Sequence, residues 1–225
     1  MICLVTDRRR LAGAGAVPAA ARACLVDQAR RAAAAGVDLI QVRERDLDAR
    51  DLAALVTALL AATRGTATRI IVNDRLDVAL ACGAAGVHLR GDSIPIADAR
   101  QLAPAGFLVG RSVHRVEEAI AAAGADYLIA GTVFATASKP ADAPLLGIAG
   151  LRAMVAAVSR PILAIGGVDE QRAGEVAAAG ASGFAAIGLF MASHPDAEVA
   201  GCRVVELRQI VNMARSRFDR PNTTP

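Results

Sequence analysis

One arrangement of apolar and polar positions recurs along the chain. An alanine-rich amphipathic stretch ends in glycine, and a short, nearly unbroken apolar run follows, as in Ala35-Gly36-Val37-Asp38-Leu39-Ile40, Cys82-Gly83-Ala84-Ala85-Gly86-Val87, Ala123-Gly124-Ala125-Asp126-Tyr127-Leu128 and Ala179-Gly180-Ala181-Ser182-Gly183-Phe184. Glycine just past a helix end takes the left-handed conformation that side chains with a Cβ avoid. Short apolar runs without alternation are what strands of a parallel sheet look like, because both their faces are covered. The unit is therefore helix, glycine stop, buried strand. Chained together, the units predict strands over residues 2–6, 37–43, 69–73, 86–89, 107–110, 126–131, 161–165 and 183–187. Helices are predicted over residues 18–35, 48–63, 76–82, 96–103, 115–123, 148–158, 170–179 and 197–215. This alternation predicts an α/β fold, a single (β/α)8 TIM barrel over residues 1–215, with a polar, proline-bearing tail over 216–225. A doubly wound open sheet would call for a glycine-rich turn after the first strand. Val5-Thr6-Asp7-Arg8-Arg9 stands there instead.

Composition agrees with this reading and narrows the function. Aromatic residues make up only 3% of the 225 and tryptophan is absent, so the core must be built from Ala, Val, Leu and Ile. A net charge of +3, without a long basic run or interleaved aromatics, argues against nucleic acid as a partner. The triplet Arg8–Arg10 reads either as a solvated loop or as an anion-attracting rim behind strand one. Apolar runs are short or broken by charges, so neither a signal segment nor a membrane span is expected. Cys3, Cys24, Cys82 and Cys202 lack metal-ligand spacing and read as buried free thiols, which suits a cytoplasmic setting. A monomer and a homo-oligomer both remain open.

In a barrel of this kind, polar groups at the C-terminal ends of strands point into the site. Those ends here carry Thr6-Asp7, Gln41-Val42-Arg43-Glu44-Arg45, Asn73-Asp74-Arg75, His88-Leu89-Arg90, Gly110-Arg111-Ser112-Val113-His114, Gly131-Thr132, Gly166-Gly167 and Ile187-Gly188. Gln41, Arg43 and Arg45 alternate, so their side chains share a direction, and two converging guanidiniums suit an anion with several oxygens. The alternative is an arginine pair neutralised by Glu44 and Asp46. Asn73-Asp74 offers hard oxygens to Mg2+, or Asp74 caps the next helix. Lys139 is the only lysine beside 24 arginines, in the irregular stretch from Thr132 to Gly147, where a lid would lie. The glycines after strands seven and eight suit a phosphate. His114 is a candidate acid/base or a solvent-facing ring; His88 reads as a satisfied core histidine, and His194 as superficial.

Taken together, these stretches resemble the thiamine phosphate synthase/TenI family. Leu4-Val5-Thr6-Asp7, Gln41 to Arg45, Asn73 to Leu80, Gly86 to Leu89, Gly110 to His114, Gly131 to Pro140 and Ala164 to Val168 carry the resemblance. It implies a synthase, a transferase of the EC 2.5.1.3 type, that joins hydroxymethylpyrimidine diphosphate to hydroxyethylthiazole phosphate with Mg2+. By the same resemblance, Gln41, Arg43, Arg45, Asn73 and Lys139 face the pyrimidine diphosphate side, Ser112 is a further substrate-binding residue, and Asp74 holds Mg2+. Thr136 and Ser138 contact the thiazole, and Gly167, Ile187 and Gly188 its phosphate. The family's pattern has Lys at Arg45, Thr at Ser138 and a second metal Asp at Ser93; adjacent Asp92 is expected to stand in as a metal ligand. Ser93 and the Arg111–His114 segment are closer to the TenI branch. There, a thiazole tautomerase would use His114 as its acid/base. A non-catalytic barrel that binds thiamine precursors is the third reading.

Overall fold

The computed structural model describes residues 1–13, 15–136, 140, 142–191, 198–199, 202–203 and 207–218. Eight parallel strands close into a barrel: β1 (Ile2–Val5), β2 (Leu39–Val42), β3 (Arg69–Asn73), β4 (Gly86–Leu89), β5 (Leu108–Val113), β6 (Tyr127–Gly131), β7 (Ile162–Ile165) and β8 (Gly183–Ala186). β8 returns to pair with β1, with Cys3 opposite Ala185, so the barrel has no open edge. Among the described residues the helices are α1 (Arg8–Ala12), α2 (Pro18–Ala35), α3 (Ala49–Ala62), α4 (Leu76–Cys82), α5 (Ile96–Leu102), α6 (Val116–Ala121), α7 (Gly147–Ala157), α8 (Glu170–Ala178) and α9 (Leu207–Phe218). None of them is long and apolar enough to cross a membrane.

The pleat divides the buried strand residues into two cores. Cys3, Val5, Leu39, Ile71, Tyr127, Ile129, Leu163 and Ala185 fill the barrel interior. Ile2, Leu4, Ile40, Val42, Ile70 and Val72 alternate with them and meet the helices. Both faces are covered, as the unbroken apolar runs require. Gly110 leaves room for this packing, because a Cβ there would lie 2.2 Å from the Tyr127 ring and 2.6 Å from His88 Nδ1.

Besides shifts at element ends, among them β5 running on to Val113, and a 3-10 turn at Gly188–Met191, the structure departs from the sequence reading at four places. Arg8–Ala12 is a helical turn, not a loop, because the Asp7 carboxylate accepts from the Arg10 N–H at 3.0 Å and caps it. Residues 198–199 and 202–203 form strands β9 (Glu198–Val199) and β10 (Cys202–Arg203), antiparallel, where helix was expected. Only Ala200 and Gly201 separate the two, a hairpin spacing. The final helix runs on to Phe218, past the expected helix end at residue 215, because Leu207, Val211 and Ala214 continue its buried stripe and Phe218 reaches Phe184 at 6.0 Å between ring centres. Finally, Cys24 is disulfide-bonded, whereas Cys3 and Cys82 are free thiols. A cysteine's partner is chosen by which elements pack together, and sequence spacing does not report that.

Candidate active site

The strand-end residues surround one cavity of about 730 Å3 at the C-terminal mouth of the barrel. Its lining follows from the pleat. Following the inward-facing positions to each strand end and past it gives Asp7, Gln41, Arg43, Arg45, Asn73, His88, Arg90, Ser112, His114, Gly167 and Ile187, all of which line it. Thr136 and Gly188 complete the wall, and Arg10 enters from α1. A second, mostly apolar cavity of about 660 Å3 lies outside the barrel between α5 and α6; it shares only the Ser112–His114 edge with the first.

The fate of the strand-two arginines is decided by α1. Arg8 is buried, donates through Nη1 to Glu44 at 2.8 Å and to Asp46 at 2.7 Å, and bonds Asp46 again through Nη2. Arg9 adds a contact to Asp46 at 2.8 Å. Burial pushes the Glu44 carboxyl up while Thr6 and Arg8 pull it down, and the Arg8 bond holds Asp46 below the usual carboxylate range. Glu44 and Asp46 are thereby used up. Among the described residues neither Arg43 nor Arg45 has an ion-pair partner. Burial, then the nearby Arg45 charge, lowers the Arg43 guanidinium's affinity for its proton. Two cations held together without a direct ion pair form a ready anion site.

Gln41 and Asn73 sit deeper and are both buried. Gln41 Nε2 donates to Asn73 Oδ1 at 2.9 Å. This leaves Gln41 Oε1 as an acceptor and Asn73 Nδ2 as a donor, a complementary pair for the edge of a nitrogen heterocycle. Ser112 is fixed by His88, whose Nε2 lies 2.8 Å from the hydroxyl, while Nδ1 lies 3.3 Å from Tyr127 Oη. Burial lowers the His88 pKa to about 3, so the ring is neutral. His88 is thus a satisfied core histidine that also supports the cavity floor. The His114 ring is bonded through Nδ1 to the Gly131 carbonyl. A carbonyl only accepts, so Nδ1 carries the proton and Nε2 holds the free lone pair of the neutral ring.

On the far wall, Gly167 has φ of 63° and stands so close to the loop after β6 that a Cβ would lie 2.7 Å from the Ala135 carbonyl oxygen. The backbone can approach a ligand there because the position has no side chain. Arg172 of α8 donates to the Gly167 carbonyl at 2.9 Å and stacks over Phe134 at 5.0 Å. Arg10 reaches Gly188, where its Nη2 would be 3.3 Å from an added Cβ. The basic rim read from Arg8–Arg10 therefore divides: Arg8 ties down structure, and Arg10 faces the site. The loop after β6 is pinned at its base by Leu146 N–H to Thr132 O at 2.8 Å. Ser138 and Lys139 lie outside the described residues, as does His194.

Asp74 has a left-handed backbone, φ 66°, unusual for a residue with a side chain, and it does not cap α4. Its Oδ1 accepts from the Ser93 hydroxyl, and its Oδ2 lies 3.5 Å from Arg90 Nη1. Asp92 is exposed, and both its oxygens take Arg90 donors, Nε at 3.0 Å and Nη2. The structure therefore brings Ser93, not Asp92, to Asp74. The Asp74 carboxylate and Ser93 hydroxyl are hard oxygen donors that fit Mg2+ carried on a diphosphate, since that ion keeps few protein ligands. Asp92 does not join them.

Fold and site together define a class: a (β/α)8 barrel whose strand-end mouth is built around anionic, phosphate-bearing ligands. A family model described as thiamine monophosphate synthase matches residues 4–190, and the chain belongs to that family. A thiamine-phosphate synthase of Methanoregula boonei is 45% identical over 192 residues, 84% of this chain and 87% of that protein. One from Methanoculleus marisnigri is 47% identical over 163 residues, 72% and 77% of the two chains. The solved thiamine phosphate pyrophosphorylase from Pyrococcus furiosus superposes with a TM-score of 0.77 at 33% identity, covering 97% of this chain and 95% of that one.

Sequence reasoning passed over Arg90 as a site residue. The available signal was parity: it follows His88 by two on the inward face of β4.

Proposed function

We propose that this chain is a thiamine-phosphate synthase, joining hydroxymethylpyrimidine diphosphate to hydroxyethylthiazole phosphate. The observation that carries the reading is the Arg43–Arg45 pair, free of direct ion-pair partners among the described residues, beside the buried Gln41–Asn73 amides. The names of the relatives point the same way.

In this reaction the methylene C–O bond breaks and its electrons leave on the diphosphate. The thiazole nitrogen then gives its lone pair to the carbon, forming the C–N bond. No proton passes between the substrates, so charge stabilisation of the leaving group matters more than a general base. Arg43 and Arg45 would take that charge, with Lys139 from the loop. Gln41 and Asn73 would orient the pyrimidine, and Ser112 would border it. Thr136 and Ser138 would contact the thiazole, with its phosphate at Gly167, Ile187, Gly188 and Arg10. Asp74, with Ser93, would hold Mg2+, which when bound neutralises leaving-group charge. Charged substrates of this kind do not cross membranes unaided, and we place the reaction in the cytoplasm.

The test is incubation of the protein with both substrates and Mg2+, following thiamine phosphate and released diphosphate. Product is expected, and Arg43→Ala should lower its rate by at least about tenfold, as expected for loss of a charge-assisted contact. One observation favours the tautomerase reading, the fixed His114 ring with its free Nε2. Conversion of the thiazole tautomer without thiamine phosphate formation would establish it in place of the synthase.

A further inference from the structure

We propose that Arg90 is a diphosphate-binding residue, a built-in cation that contacts the leaving group directly and shares its binding with the metal. The inference rests on the reading of this cavity as a diphosphate site. Arg90 lines the cavity together with Arg43 and Arg45. Its guanidinium is fixed from behind by two carboxylates: Asp92 takes Nε at 3.0 Å and also Nη2, and Asp74 lies 3.5 Å from Nη1. The Arg90 backbone N–H donates to Ser93 Oγ at 2.7 Å, and the same hydroxyl bonds Asp74, so strand end and loop hold one geometry. A guanidinium has five N–H groups. One donor on each terminal nitrogen remains beyond those directed at the carboxylates.

The electrostatics lead to the same assignment. Arg43 is less willing to hold its proton partly because Arg45 and Arg90 stand near it. Three guanidiniums around one cavity repel one another, and an anion with several oxygens relieves all three at once. Arg90 is already ordered by Asp74 and Asp92, so it loses little freedom when that anion binds. Asp92, with its side chain 69% exposed, finds its role here: it aims the arginine.

The experiment titrates inorganic diphosphate into the full-length protein by calorimetry, once in EDTA and once in excess Mg2+. The wild type is expected to bind diphosphate in EDTA. Arg90→Gln should weaken that binding by about tenfold or more, and Arg90→Lys, which keeps the charge and loses the fork, by less. Ser93→Asp places a second carboxylate beside Asp74 and should draw Arg90 away from the cavity, weakening binding in EDTA by at least about threefold on the same scale. Thermal melts of each variant confirm folding, and Arg90→Lys stands in if Arg90→Gln does not fold. Wild-type binding that requires Mg2+, or equal binding by the Arg90 variants in EDTA, overturns the inference. Either result, alongside thiamine phosphate formation, leaves the synthase reading standing. A wild type that binds no diphosphate under either condition and makes no product sinks that reading instead.

Discussion

Asp74 carries two demands on one residue, a left-handed backbone and a carboxylate aimed at Ser93 and Arg90. Asparagine tolerates that backbone nearly as well as aspartate does. Asp74→Asn should therefore melt close to the wild type while synthase turnover falls by roughly a hundredfold or more, because Asp74 would hold the Mg2+ that neutralises the leaving group. A melt unchanged together with full turnover would show that the carboxylate does no chemistry. His88 yields a pH prediction. Its folded pKa is depressed to about 3 by burial, against the ordinary 6.5. Between those values the unfolded chain binds the extra proton, so stability is complete above about pH 6.5 and declines as pH falls toward 3. Urea unfolding at pH 6.5 and pH 5 should differ by about 2 kcal/mol from this ring alone. His88→Gln should flatten that slope, and an equal slope in the variant would assign the loss to other groups.

At the scale of elements, α1 is the part that makes strand two functional. Five residues capped by Asp7 place Arg8 over Glu44 and Asp46, and that turn leaves Arg43 and Arg45 to the cavity. Glu44 is nearly closed to solvent, with its side chain 3% exposed. Arg8→Met would strand that charge, and a destabilisation of about 3–5 kcal/mol in denaturant titration is expected. Adding Glu44→Gln should recover part of it. A loss below about 1 kcal/mol, the level of an ordinary surface pair, would mean that solvent already screens Glu44. The strands and most helices were legible because buried parallel strands leave unbroken apolar runs, and helices such as α2 and α4 end in left-handed Gly36 and Gly83. Arg8–Ala12 was not, since five polar-rich residues give no periodicity to read. The β9–β10 pair was lost inside a longer helical reading, although Gly201 marked the break.

For the whole molecule, the barrel sets the site by converging strand ends, and ligand binding should be read out in global stability. At a diphosphate concentration of 100 times its Kd, with Mg2+, unfolding should cost about 2.7 kcal/mol more than without ligand. A melting temperature unmoved by diphosphate would mean that the folded state does not bind it. The chain's own pattern determined the barrel, the end at which the site lies and its chemical character. These follow from local periodicity and from the alternation that sends every second strand residue inward. Gln41, Asn73, Ser112 and His114 were legible on those grounds, and the same parity pointed to Arg90. What tertiary structure alone decided was pairing. It assigned Glu44 and Asp46 to Arg8, Ser93 to Asp74, and a disulfide to Cys24. A charge's partner is whichever group the fold brings within a few ångströms, and contacts spanning some 20 to 40 positions leave no trace in the spacing of residues along the chain.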